Sequence, residues 1–155
     1  MPIISHLTYI DAPIVKCFDL ARNVEIHTAT TAKTNERAVA GVTTGLLQLG
    51  DSVTWEAIHF GVKQKLTAKI IEMAAPHTFT DVMVRGAFHS FTHIHEFTES
   101  NGGTIMKDTF EYTAPFGVLG KIADKLFLKR YMKNFIISRA SELKKIAETD
   151  MRMHL

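Results

Sequence analysis

The sequence holds one cysteine, Cys17, so no internal disulfide braces the fold, and this usage fits a reducing compartment. Four prolines in 155 residues and no Pro/Gly/Ser cluster leave no linker, repeat or low-complexity run, so residues 1–155 read as one domain. No stretch reaches the roughly 18 consecutive apolar residues of a membrane span. The start, Met1-Pro-Ile-Ile-Ser-His6, lacks the basic and then apolar segments of an export signal. These absences predict a soluble, cytoplasmic chain without stable membrane insertion. Neither sign of charge dominates: 18 Lys and Arg face 16 Asp and Glu, a net of +2. The balance is uneven, since residues 117–155 carry 9 basic and 4 acidic groups while residues 1–116 carry 9 and 12. The basic excess falls on the last helix, where a solvated face is the expectation. No nucleic-acid motif accompanies it, so no nucleic-acid partner is expected. Pro115-Phe-Gly117-Val-Leu-Gly120 has the glycines of a phosphate loop but no Lys-Ser/Thr and no parallel βαβ setting, so it reads as a turn into a helix.

Apolar residues make up 46% of the chain and charged residues 22%, the usage of an ordinary folded domain. A domain of this size buries roughly 70% of the surface of its unfolded chain, enough for a core or a cavity. Ile3 to Ile10 reads as a strand. Asp11-Ala-Pro13 then offers a helix N-cap with proline near the first turn, followed by the amphipathic run Ile14 to Arg22 and a short helix including Glu25 to Thr28. Strand-like runs follow at 36–42, 52–60, 62–73, 78–85, 89–99 and 104–113, separated by Gly, Pro and Asn signals. From Gly117 to Glu148, Leu119, Ile122, Leu126, Met132, Phe135, Ile136, Leu143 and Ile146 recur largely at helical spacing. That helix is about 30 residues and roughly 45 Å long. The pattern is α+β, with a long helix across one face of an antiparallel sheet.

Parity assigns faces, because alternate strand residues point to opposite sides and a two-residue turn fixes cross-strand partners. A turn at Gly61-Val62 puts Trp55, Ala57 and His59 on one face with Gln64, Leu66, Ala68 and Ile70. A turn at Asn101-Gly102 places Glu96 opposite Lys107, an attractive pair, and therefore His95 opposite Asp108. Phe91, His93, Phe97, Met106, Phe110 and Tyr112 share that inner face. Gly86-Ala87-Phe88 accepts turns of either parity, which leaves Asp81 and Arg85 open. Aromatics alone would make an ordinary core. His59, His93, His95 and Asp108 are costly in a dry core unless they bond one another or a ligand, and a few polar groups converging on an apolar concavity are the usual form of a small-molecule pocket.

The order of elements resembles the START-like helix-grip superfamily (SRPBCC), which includes lipid-transfer domains, pollen-allergen relatives and polyketide cyclases. The resemblance spans essentially the whole chain. It is strongest toward a small bacterial branch labelled ligand-binding or cell-division-inhibitor-like. The carrying residues are Ala12-Pro13, Gly50-Asp51-Ser-Val-Thr-Trp55, His59-Phe60-Gly61, Gly86-Ala87-Phe88, His93-x-His95-x-Phe97, Asp108-x-Phe110-x-Tyr112 and Pro115-x-Gly117. It implies a helix-grip fold: a seven-stranded curved antiparallel sheet with two short helices, gripping one long C-terminal helix around a cavity. It implies no single reaction, since the fold carries binders and enzymes alike.

The expected ligand is a small hydrophobic or amphipathic molecule. Trp55, Phe91, Phe97, Met106, Phe110 and Tyr112 give the site its shape, and His59, His93, His95 and Asp108 give it orienting groups. His93-x-His95 has the spacing of a metal pair, with Asp108 or His59 as a further ligand. No second ligand cluster or loop cysteine supports it, so no metal and no cofactor is expected. His95 with Asp108 also fits a base and its orienter, the catalytic candidates of a cyclase, dehydratase or hydrolase. Without an evident nucleophile or oxyanion site, binding is favoured over catalysis. A third reading is an interaction module that uses the basic C-terminal helix.

Overall fold

Alternating apolar residues and well-placed turn formers lay the chain out as seven strands. The computed structural model describes residues 2–153, without the side chains at 118, 119, 121, 124, 126 and 150–153. The strands are β1 (Ile3–Ile10), β2 (Arg37–Gly41), β3 (Ser52–His59), β4 (Val62–Ala74), β5 (Thr78–Arg85), β6 (Ser90–Ser100) and β7 (Gly103–Thr113). They form one antiparallel sheet in the order β1-β7-β6-β5-β4-β3-β2. Register shifts between β2 and β3 at Ala38/Ala40, and between β4 and β5 at Thr67/Ala68 and Ile70/Glu72, bend the strands and deepen the twist. The sheet curves accordingly, and its hollow is the α+β helix-grip of the sequence reading.

The β6–β7 hairpin turns at Asn101-Gly102, both with positive φ (50° and 81°), as a tight hairpin turn requires. Its register is the expected one: His95 faces Asp108 and Glu96 faces Lys107. The β3–β4 hairpin differs. Its turn is Phe60-Gly61 (φ 53° and 74°), one residue earlier than Gly61-Val62, so Trp55 faces Leu66 and Ala57 faces Gln64. A one-residue shift of a two-residue turn moves partners by two, which leaves every side chain on its expected face.

Between β1 and β2 lie α1 (Ile14–Ala21), α2 (Val24–Thr30) and a 3-10 turn (Ala32–Thr34). Ile14, Cys17, Phe18 and Ala21 are buried at the spacing of a single apolar stripe, and Phe18 meets Phe79 and Phe97 edge-on at 5.4 and 5.5 Å. Asp11 does not cap α1. The cap position is Pro13, in extended conformation, and the Asp11 backbone N–H donates to Glu148 Oε2 at 2.9 Å. The C-terminal helix is also not one continuous α-helix. It runs as α3 (Gly117–Ala123), a π turn (Asp124–Leu128) and α4 (Lys129–Met153). Along α4, Met132, Ile136, Ala140, Leu143 and Ala147 are buried, whereas Ile122 in α3 is 52% exposed. The side chains of Leu119 and Leu126 lie outside those described. Among the described residues, no helix is long and apolar enough to cross a membrane.

Candidate ligand cavity

The curved sheet and the C-terminal helix enclose a cavity of about 750 Å³, within the range of small-molecule sites. Its wall is mostly apolar, including Val53, Leu66, Ile70, Phe91, Phe110 and Met132. It reaches the surface at Phe60, Phe116 and Phe127, which are lining residues and exposed by half or more.

Of the residues chosen from sequence, Trp55, His59, Phe91, His93, His95 and Phe110 line this cavity. Phe97, Met106, Asp108 and Tyr112 face inward and are buried, but they are not among its lining residues. Phe97 and Met106 pack in the core cluster with Phe18, Ala140 and Leu143. Tyr112 is covered by Phe88 and Phe110, at ring separations of 5.4 and 5.6 Å. Asp108 and Met106 border a separate void of about 10 Å³, so Asp108 acts from behind the wall. Of the two open residues, Asp81 lines the cavity, paired with His93 across the sheet, while Arg85 at the end of β5 is exposed and does not.

Three polar groups interrupt the apolar wall. In the first, β5, β6 and β7 place two histidines between two carboxylates. His95 Nε2 donates to Asp81 Oδ1 at 2.9 Å, and its Nδ1 lies 3.3 Å from Asp108 Oδ1. Only the doubly protonated ring donates to both. Burial pushes His95 down, but the hydrogen bonds and charges of Asp108 and Asp81 outweigh it and raise the group above its ordinary value. His93 Nε2 donates to the same Asp108 Oδ1 at 3.0 Å. Burial and the neighbouring His95 charge hold His93 below its ordinary value. Burial pushes both aspartates up, yet their histidine partners prevail and keep Asp81 and Asp108 ionised. Phe79 stacks on His95 at 4.1 Å and fixes the ring plane.

The second group comes from α2 and the segment before β2. His27 Nε2 donates to Glu36 Oε1 at 2.8 Å, and the His27 ring stacks on Trp55 at 4.0 Å. Burial, then the Arg139 charge, lowers His27. Burial pushes Glu36 up, but His27 and Arg139 hold it below the ordinary carboxylate value. The third group is His59 Nδ1 with the Tyr131 hydroxyl, at 2.6 Å. Burial lowers His59 and raises Tyr131.

Asp81, His93 and His95 present ligand atoms within 4.8 Å of one another, which makes them the place where a cation would be held. Their bonding argues for a hydrogen-bonded network instead, because the two Nε2 atoms already point to different carboxylates. His59, weighed from sequence as a further ligand, bonds Tyr131. Sequence reasoning missed His27, Glu36, Tyr131 and Arg139, all of which line the cavity. Tyr131 and Arg139 carried a usable signal, each standing next to or three residues from the apolar stripe of α4. His27 and Glu36 carried none, since only tertiary packing brings their segment over Trp55.

No family model matches the chain, and no curated protein matches its sequence. Solved structures do share its fold. The protein TTHA0849 from Thermus thermophilus is 19% identical, with a TM-score of 0.77 over 93% of this chain and 95% of that one. Protein Ms6760 from Mycobacterium smegmatis is 17% identical, with a TM-score of 0.70 over 93% and 89%. Ginseng major latex-like protein 151 from Panax ginseng is 12% identical, with a TM-score of 0.68 over 94% and 97%.

Proposed function

We propose that this chain, acting as one helix-grip domain in the cytoplasm, binds a small hydrophobic or amphipathic molecule in its internal cavity. The observation that carries the reading is a space of about 750 Å³ with a mostly apolar wall and three separate polar groups facing it. A protein that needed only a stable core would fill such a space, since interiors pack to the density of organic crystals. Trp55, Phe91 and Phe110 shape the site, His59, His93 and His95 orient the ligand, and Asp108 holds the histidines from behind. Native mass spectrometry of freshly purified protein, followed by titration with an apolar fluorescent probe, tests this. A one-to-one complex is expected, with a ligand at 100 times its Kd adding about 2.7 kcal/mol of stability. No bound species and no binding across a broad apolar library would overturn it.

One observation favours a second reading. His95 sits between two ionised carboxylates with its proton-bearing nitrogens fixed, and it lines the cavity, as a proton donor in a cyclase or dehydratase would. Under that reading Asp81→Asn preserves binding and abolishes turnover; under the binding reading it weakens binding.

A further inference from the structure

Two exposed phenylalanines sit where the backbone disfavours them. Phe60 and Phe116 hold φ at 53° and 66°, the left-handed region that Gly and Asn occupy cheaply and bulky side chains do not. Neither recovers that cost by burial: Phe116 is 83% exposed and Phe60 59%, with Phe127 at 51%. Phe60 lies against Phe127 and Tyr131, at ring separations of 5.9 and 4.4 Å, and all three phenylalanines line the cavity where it opens. Strained residues cluster at functional positions, and exposed apolar patches mark contact surfaces. The charge around this rim is one-sided. Residues 117–141 hold six Lys and Arg and one acid, Asp124. Lys125, Lys129 and Arg130 are exposed and form no ion pair among the described residues. They stand within three residues of Phe127, less than about 5 Å along the helix axis and inside the roughly 8 Å Debye length of physiological salt. On the hairpin side Lys63 and Lys65 are exposed, and Glu56, opposite Lys65, is bonded by Arg37.

We propose that the mouth of the cavity docks reversibly on an anionic phospholipid bilayer, with Phe60, Phe116 and Phe127 entering the lipid interface and the cations around Phe127 drawing in the charged surface. Aromatic side chains gain from burial at the boundary of headgroup and acyl chain. Each Lys or Arg near an anionic leaflet adds an attraction that fades within a Debye length. A second copy of this chain is a poorer fit, because a symmetric contact sets the same unpaired cations against each other. Docking also opens the cavity toward lipid, so that an apolar ligand passes between the two without crossing water; this consequence alone rests on the cavity reading.

Co-sedimentation of the full chain with vesicles of phosphatidylcholine, alone or with about 30% phosphatidylserine, tests the docking. The mixed vesicles are expected to bind at least about 10-fold more tightly at low salt and to lose that advantage near 1 M salt, where the Debye length is about 3 Å. Phe116→Asn and Phe60→Asn should each weaken binding by about 10-fold. Because Asn accepts the left-handed backbone, their melting temperatures should stay level or rise, a result that a merely structural role for these rings would not give. Replacing Lys125, Lys129 and Arg130 together by Gln should remove the preference for the mixed vesicles. The wild-type comparison stands even if a variant fails to fold. Sedimentation with neither vesicle, equal affinity for both, or binding that survives both Phe→Asn changes would overturn the proposal. So would a concentration-dependent dimer in analytical ultracentrifugation that Phe116→Asn dissolves, which would give the rim to a second copy. Each of these leaves the cavity reading intact, since that is tested by probe titration without lipid.

Discussion

Asp108→Asn is the most searching single perturbation, because it keeps shape and removes a charge that two histidines share. Asp108 Oδ1 accepts from His93 Nε2 at 3.0 Å and lies 3.3 Å from His95 Nδ1. His95 keeps Asp81 after the change. His93 has no second carboxylate partner among the described residues. A hydrogen bond to a charged group contributes about 1.5–3 kcal/mol, and an amide oxygen can replace only part of it for one of the two rings, so the expected loss is about 2–3 kcal/mol. His95→Phe preserves stacking on Phe79 but leaves Asp81 and Asp108 each short of a donor, costing about 1–3 kcal/mol. The double variant should cost less than the sum by about 1 kcal/mol, as for residues in one network. Acid adds a second signature. Asp108 is held below its ordinary value of 3.8 because the histidine bonds outweigh burial. Its contribution is therefore present above 3.8 and is lost as pH falls below it, at about 1.4 kcal/mol per pH unit. Urea unfolding of wild type and Asp108→Asn at pH 5 and pH 3 should show the gap shrink by about 1 kcal/mol. A cost below about 0.5 kcal/mol at pH 5, strict additivity with His95→Phe, or a gap unchanged at pH 3 would refute the shared-acceptor arrangement.

Mild acid should destabilise the protein: His27, His59 and His93 are all held below the ordinary histidine value of 6.5, chiefly by burial, so the unfolded chain takes up their protons first as pH falls through 6.5. His95 has the opposite sign, with a contribution present below 6.5 and lost as pH rises through its raised value, but it is one group against three. Melting temperature should thus fall from pH 7.5 to pH 5.5, and a rise would refute the assignment of three neutral histidines. Protein purified without metal-affinity steps should carry no stoichiometric zinc by elemental analysis, since the His93 and His95 Nε2 atoms are bonded to different carboxylates; one zinc per chain, lost in His93→Ala, would reassign the network as a metal site.

The fold was legible because its hairpins carry strong local chemistry. Asn101-Gly102 accepts positive φ at both positions at little cost, and from that turn alone the His95/Asp108 pairing follows. Phe60 hid its turn, since an aromatic residue at φ 53° goes against the preference of L residues; parity nonetheless survived the error. The cavity was legible only in part. Alternation tells which strand residues face inward, but not how far along the strand the space extends, so Phe97, Met106, Asp108 and Tyr112 were grouped with residues that border it. Glu36 and His27 belong to short, irregular segments whose placement depends on tertiary packing against Trp55, beyond any periodic pattern.

The π turn at Asp124–Leu128 holds one residue of slack in the C-terminal helix. An α-helix closes its bonds from i to i+4, whereas a π turn closes them from i to i+5 and so carries about one residue more in the same turn. Downstream of it, α4 keeps a steady stripe from Met132 to Ala147 against the rest of the molecule. Upstream, Gly120 and Ala123 of α3 line the cavity, so the π turn lies between the gripping stripe and that part of the wall. Removing one residue from 124–128 would let the turn close as an ordinary α-helical one, with α3 and the anchored stripe each keeping their facing. A change of length by one residue at this point is thereby absorbed locally, apart from the stripe that grips the fold.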